Sequence, residues 1–132
     1  MASPSYEVSE RGDLMALSLE ERITLCTSAA IEKQASEIVI LDLKGFSTIT
    51  DSFLICSGSS TRQVQSIADA IDESMSKRGV EPGGMEGYTQ ARWILMDYND
   101  LVVHIFHEET RRFYDIERLW AKAPTLDISA VH

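Results

Sequence analysis

The sequence predicts a single α/β domain in which a mixed β-sheet is packed with helices. Short β-branched runs at residues 37–43 and 52–57 are too brief to be helices, and two further strand-like runs flank Asn99-Asp100. Longer segments between them repeat apolar residues at helical spacing. The chain has 132 residues, the usual size of one domain. A chain of that size buries roughly two-thirds of its unfolded surface in one core.

Residues 1–17 hold Pro4, Gly12 and three serines without sustained periodicity, and are expected to form a flexible extension. Ser18 with Glu21 three positions later makes a capping box, and Leu19, Ile23, Cys26 and Ala30 continue at helical spacing to about Ser36. Residues 37–43 (EIVILDL) and 52–57 (SFLICS) read as buried strands, joined by a polar connection from Lys44 to Asp51. After Gly58, the run Ser59-Ser60-Thr61 supplies a cap for a second helix. Val64, Ile67, Ala68, Ile71 and Met75 share one of its faces, and it ends near Gly79. Pro82-Gly83-Gly84 marks a turn, and residues 85–88 read as a short edge strand. Residues 93–98 and 101–106 form a hairpin, because Asn99 tolerates the left-handed backbone a tight turn requires. From Glu108 onward Phe113, Ile116, Trp120 and Ala123 recur at helical spacing until Pro124, so one closing helix is expected. The folded domain is therefore placed at residues 18–124, with a flexible tail over 125–132 and no internal repeat.

Composition narrows the function. Twelve Lys and Arg against 21 Asp and Glu give a net charge of −9, which speaks against a surface that grips nucleic acid. An acidic binder more naturally meets a basic protein, although acidity also serves solubility alone. No window approaches the roughly 18 apolar residues of a membrane span. Glu7, Glu10 and Asp13 stand where a signal peptide would be basic and then apolar, so a cytoplasmic location is expected. Cys26 and Cys56 lie in apolar surroundings without metal-ligand spacing and read as buried core thiols.

Alternation divides the hairpin into two unlike faces. With a two-residue loop, Tyr98 pairs with Leu101, Met96 with Val103 and Ile94 with Ile105 on a core face. The opposite face sets Trp93 across from Phe106, Leu95 across from His104 and Asp97 across from Val102. That mixture fits either the centre of a protein interface or a second core layer covered by further chain.

Catalytic constellations are incomplete. His104, Asp97 and a serine from residues 57–60 suggest a hydrolytic triad, but no G-x-S-x-G elbow surrounds any serine. His104, His107 and Glu108 form too loose a group for a metal, and His132 is the last residue, so neither metal nor cofactor is expected. The Gly58-Ser59-Ser60 turn before a helix N-terminus is a better candidate, since its backbone N–H groups can bind a phosphate, with Arg62 nearby. It lacks the lysine of a P-loop, and no Asp-x-Asp pair exists to hold the two metals of a nucleotidyltransferase. Asp69 and Asp72 read as the solvated face of a helix.

The stretches DSFLICSGSSTRQVQSIADAI, EGY, ARWILMDYNDLVVHIF and RRFYDIERLWAKAP, in that order, resemble the ribosomal silencing factor (RsfS, Iojap-like) family. The resemblance covers about Leu19 to Pro124. It implies a nucleotidyltransferase-like fold without enzymatic activity and a tendency to homodimerise. It further implies binding to the large ribosomal subunit through its fourteenth protein, which prevents joining with the small subunit and lowers translation when nutrients are scarce. By the same resemblance, the family's tryptophan strand matches Trp93, its acidic aromatic turn matches Asp97, Tyr98 and Asp100, and its histidine matches His104. Together with Leu95 and Phe106 on the mixed face, these are the expected partner-binding residues. Tyr114, Glu117 and Trp120 match the closing motif. Asn99 departs from the family's usual glycine but can hold the same turn. The segment before Leu17 lies outside the resemblance, and Met15 is an alternative start. The competing reading is nucleotide binding or residual nucleotidyltransferase activity at Gly58, Ser59, Ser60 and Arg62.

Overall fold

A computed structural model describes residues 17–128. The first helix, α1, spans Leu19–Glu32 and begins on the expected capping box: Ser18 Oγ accepts the Glu21 N–H at 3.0 Å, and the Ser18 N–H donates to Glu21 Oε1 at 2.8 Å. It stops short of Ser36 because Gln34 takes a φ of 63°, turning the chain into β1 (Ser36–Asp42). β2 (Ser52–Gly58) follows, then α2 (Thr61–Ser76), whose Ser60 cap accepts the Gln63 N–H. Gly79, at φ 78°, lets the Val80 N–H reach back to the Met75 carbonyl and closes α2. β3 (Gly84–Glu86), β4 (Trp93–Asp97) and β5 (Leu101–His107) complete the central part of the chain.

The closing segment differs from the single helix that the spacing suggests. α3 runs only over Glu108–Tyr114; Asp115 adopts a left-handed φ of 47°, and Ile116–Trp120 form a 3-10 turn. The break redirects the chain so that Ile116 and Trp120 pack on the sheet, which a straight helix continuing from α3 would not do. Beyond it Thr125–Leu126 form β6, where a loose tail was expected to begin. Their backbone pairs with Leu41 and Ile40 of β1; residues 129–132 and 1–16 lie outside the described part of the chain.

The six strands are ordered β3-β4-β5-β2-β1-β6. β2 and β5 are parallel, and every other pairing is antiparallel. α1 and α2 cover one face, where Ile23, Cys26, Ile67, Ile71 and Met75 meet Ile40, Leu54, Ile94, Met96, Val103 and Ile105. A second apolar layer lies opposite: Leu41, Leu43, Ile55 and Phe106, with Ile116, Trp120 and Ala123 of the closing segment packed over them. Both cysteines are buried, as expected. No helix among the described residues is long and apolar enough to cross a membrane.

Candidate partner-binding site

The hairpin register is the one alternation predicts. Trp93 pairs with Phe106, Ile94 with Ile105, Leu95 with His104, Met96 with Val103 and Asp97 with Val102. Asn99 takes a φ of 77° in the loop, and its N–H donates to Asp97 Oδ1 at 2.8 Å. The mixed face is therefore real, and the closing segment covers only part of it. The second-core-layer reading holds for Phe106, while Trp93, Leu95 and Val102 are half-buried at the uncovered side.

Trp93 is the organising side chain. Its ring stacks on Phe106 with centroids 4.8 Å apart and meets Tyr114 of α3 at 5.2 Å. Its Nε1–H donates to His104 Nδ1 at 3.0 Å. His104 in turn meets Phe53 edge-on at 4.4 Å, and Phe53 meets Trp120 at 6.0 Å. A continuous aromatic row thus runs across the sheet. Burial holds the His104 imidazole well below its ordinary range, at a pKa of about 4, so the ring is neutral near pH 7. An indole nitrogen only donates, so Nδ1 must be bare and the ring hydrogen sits on Nε2.

Beside Trp93 lies a shallow groove of about 560 Å³ lined by Gly87, Arg92, Thr110, Phe113 and Tyr114, among others. Phe113 is 80% exposed and Tyr114 55%, an apolar rim open to solvent. Gly87 is required here: at φ 84° a Cβ would overlap the Trp93 carbonyl oxygen. Tyr88 anchors the same segment to α2, its hydroxyl donating to Asp69 at 2.9 Å.

The expected partner-binding residues separate into surface and support. Trp93, Leu95 and Asp97 reach the surface. Tyr98 does not: it is 5% exposed on the helix-covered face, because alternation turns it away from Trp93. His104 at 4% and Phe106 at 0% are sealed beneath neighbouring rings, so they support the face without presenting atoms to a partner. Asp100 is engaged within the chain, receiving Arg22 Nη1 at 2.6 Å and Nη2 at 2.9 Å. That paired hydrogen bonding from Arg22 lowers its carboxyl pKa.

The Gly58-Ser59-Ser60 turn is already occupied by its own helix. The Ser59 N–H and hydroxyl both donate to Gln63 Oε1, at 2.7 and 3.1 Å, while Gln63 Nε2 donates to the carbonyls of Lys33 and Gln34. Both Ser59 donors are thus engaged within the chain. Gly58 is explained by packing, since a Cβ there would meet Val64 Cγ2 at 3.0 Å. Arg62 is exposed on the first turn of α2. Among the described residues no three His, Cys, Asp or Glu side chains gather as a metal site would require.

Sequence reasoning missed Arg111. This side chain is buried, and its Nη1 donates to the Glu37 carbonyl at 2.7 Å and to Ser57 Oγ at 2.8 Å. Its Nε and Nη2 donate to the Glu117 carboxylate at 3.1 and 2.9 Å. The guanidinium thus pins α3 and the 3-10 turn onto β1 and β2. The signal available in sequence was an arginine in an Arg-Arg pair and a glutamate six residues on, a spacing that does not mark an ion pair.

Comparison with known proteins agrees with this architecture. Residues 16–132 match the family described as ribosomal silencing factor during starvation. The chain is 44% identical over 115 residues to the ribosomal silencing factor RsfS of Halalkalibacterium halodurans, covering 87% of this chain and 98% of that one. To RsfS of Bacillus subtilis it is 42% identical over 106 residues, 80% of this chain and 90% of the other. A crystal structure of a Chromobacterium violaceum protein superposes with a TM-score of 0.77 at 30% identity, covering 80% of this chain and 88% of its own. The shared region takes in both long helices, the whole sheet and the closing segment, and the chain belongs to the ribosomal silencing factor family.

Proposed function

We propose that this chain is a cytoplasmic ribosomal silencing factor that binds the large ribosomal subunit through its fourteenth protein. Docked there, it blocks association with the small subunit and lowers translation when nutrients are limiting. The mechanism is steric: a 14.8 kDa body occupies surface that the other subunit needs, and no bond is made or broken. Inhibition then follows occupancy alone, set by affinity and concentration.

The observation that carries this reading is Trp93, half-buried at the uncovered side of the sheet with exposed Phe113 and Tyr114 beside it. Large aromatics at the centre of such a patch dominate binding energy in protein interfaces. Leu95 and Asp97 extend the face along β4, and the net charge of −9 suits a basic ribosomal protein. When free, the chain pairs with a second copy, as its family resemblance implies. Engagement of both Ser59 donors by Gln63 argues against a nucleotide site. Accordingly, nucleotides with or without magnesium should leave the melting temperature unchanged.

The test is co-sedimentation of the purified protein with isolated large and small subunits. Selective migration with the large subunit is expected, and folded Trp93→Ala should bind more weakly by about 2 kcal/mol or more, roughly thirtyfold. Undiminished binding by that variant would remove Trp93 from the interface, and no comigration by the wild type would remove the large subunit as partner.

A further inference from the structure

We propose that His104 is a positioning residue for docking: it accepts the Trp93 indole N–H and fixes the ring in the orientation that a partner meets. This rests on the docking role of Trp93 proposed above. His104 is buried beneath the face and cannot itself touch a partner, yet it stands at the junction of the aromatic row. Its Nδ1 lies 3.0 Å from Trp93 Nε1, and its ring is held between Phe53 at 4.4 Å and Phe106 at 6.2 Å. The acceptor is therefore as rigid as the sheet that carries it.

The geometry assigns the imidazole one tautomer. With Nδ1 bare to receive the indole, the hydrogen lies on Nε2, which is buried and has no hydrogen-bond partner among the described residues. Among the described residues the ring's hydrogen bond goes to Trp93. The consequence is directional. The indole N–H is engaged internally, so a partner meets the ring and not its donor, and docking does not have to freeze the side chain from several rotamers. Without the acceptor, the half-buried indole would carry an unpaired N–H and would gain by rotating toward water.

The experiment combines a tautomer measurement with a set of variants. Long-range 1H–15N NMR of the full-length protein at neutral pH should show the hydrogen on His104 Nε2; a hydrogen on Nδ1 would overturn the proposal. In co-sedimentation with the large subunit, folded His104→Phe should bind roughly tenfold more weakly, the worth of one buried hydrogen bond. His104→Asn, whose side-chain oxygen can take the place of Nδ1, should bind within about threefold of wild type, a smaller loss than any removal of the acceptor. In a Trp120→Phe background, Trp93 emission should shift in His104→Phe and hold in His104→Asn. Trp93→Phe, which lacks the donor, should be insensitive to His104→Phe, giving a non-additive pair. Normal binding by folded His104→Phe while Trp93→Ala fails would overturn the positioning role and leave the docking face standing. Equal losses in His104→Asn and His104→Phe would likewise reduce His104 to packing. Normal binding by Trp93→Ala would overturn the docking face and this inference with it. If His104→Phe does not fold, the tautomer together with the emission and binding of His104→Asn decides.

Discussion

Replacing Arg111 with methionine tests whether the closing segment is held by its guanidinium or by apolar contact. The substitution keeps much of the side-chain length and apolar stem while removing every donor. Four hydrogen bonds are lost, but their costs differ. The Ser57 hydroxyl is fully buried and loses its partner outright, about 1–3 kcal/mol. The Glu37 carbonyl belongs to an exposed residue and recovers water at little cost. The Glu117 carboxylate is the largest contribution, because breaking a buried pair costs about 3–5 kcal/mol. Its side chain is 30% exposed, however, so much of that is regained as hydration. The expected net loss is about 3 kcal/mol, read as a lower urea midpoint at unchanged slope and a melting temperature lower by roughly 10 °C. Because α3 holds Tyr114 against Trp93, docking should weaken as well. A loss below about 1 kcal/mol would refute this assignment and leave Ile116 and Trp120 as the fastening.

Three further outcomes follow from the same structure. Burial holds His104 at about 4 in the fold against 6.5 when free, so the unfolded chain binds the proton first as pH falls. Stability should be full above about pH 6.5 and decline toward pH 4 by about 3 kcal/mol, a decline that flattens in His104→Asn; an unchanged slope would clear His104 of responsibility. The Asp100 carboxyl, held below its ordinary value by Arg22, contributes its own loss only at still lower pH. Gly87→Ala should cost about 2 kcal/mol or more and weaken docking through displacement of Trp93, whereas Gly84→Ala, with open space around it, should be nearly neutral; urea denaturation separates the two. Cys26 and Cys56, with thiol pKa values pushed up to about 12 by burial, should resist a thiol-specific reagent in the native state and react together in denaturant.

Local physics made much of the fold legible. The Ser18–Glu21 capping box and the Gly79 stop are contacts within a few residues, so the sequence contains both partners side by side. The hairpin register follows from one turn and strict alternation, and with it the membership of the mixed face. What alternation cannot supply is depth. Whether His104 lies under a ring or beside one depends on Phe53 and Trp120, which arrive from distant parts of the chain. The same limit hid the left-handed turn at Asp115, where no glycine or proline marks the break and Arg111 supplies the reason through bonds to Glu37 and Ser57. It also hid β6, two residues held by backbone pairing that leaves no periodicity to read.

The closing segment determines which part of the second sheet face remains available. Sheets of this kind are normally sealed on both sides. Here the break at Asp115 sends Ile116 and Trp120 over Leu41, Ile55 and Phe53, toward β1. β4 is left half covered, with Tyr114 against Trp93 and the exposed Phe113 beyond it. Trp93 is thereby buried enough to be held by Phe106 and His104 and exposed enough to be met from outside. Extending α3 by mutating Asp115 to a strong helix former would move both properties in opposite senses. Trp120 would leave Phe53, stability would fall, and the groove beside Trp93 would change shape even though no residue lining it had been altered.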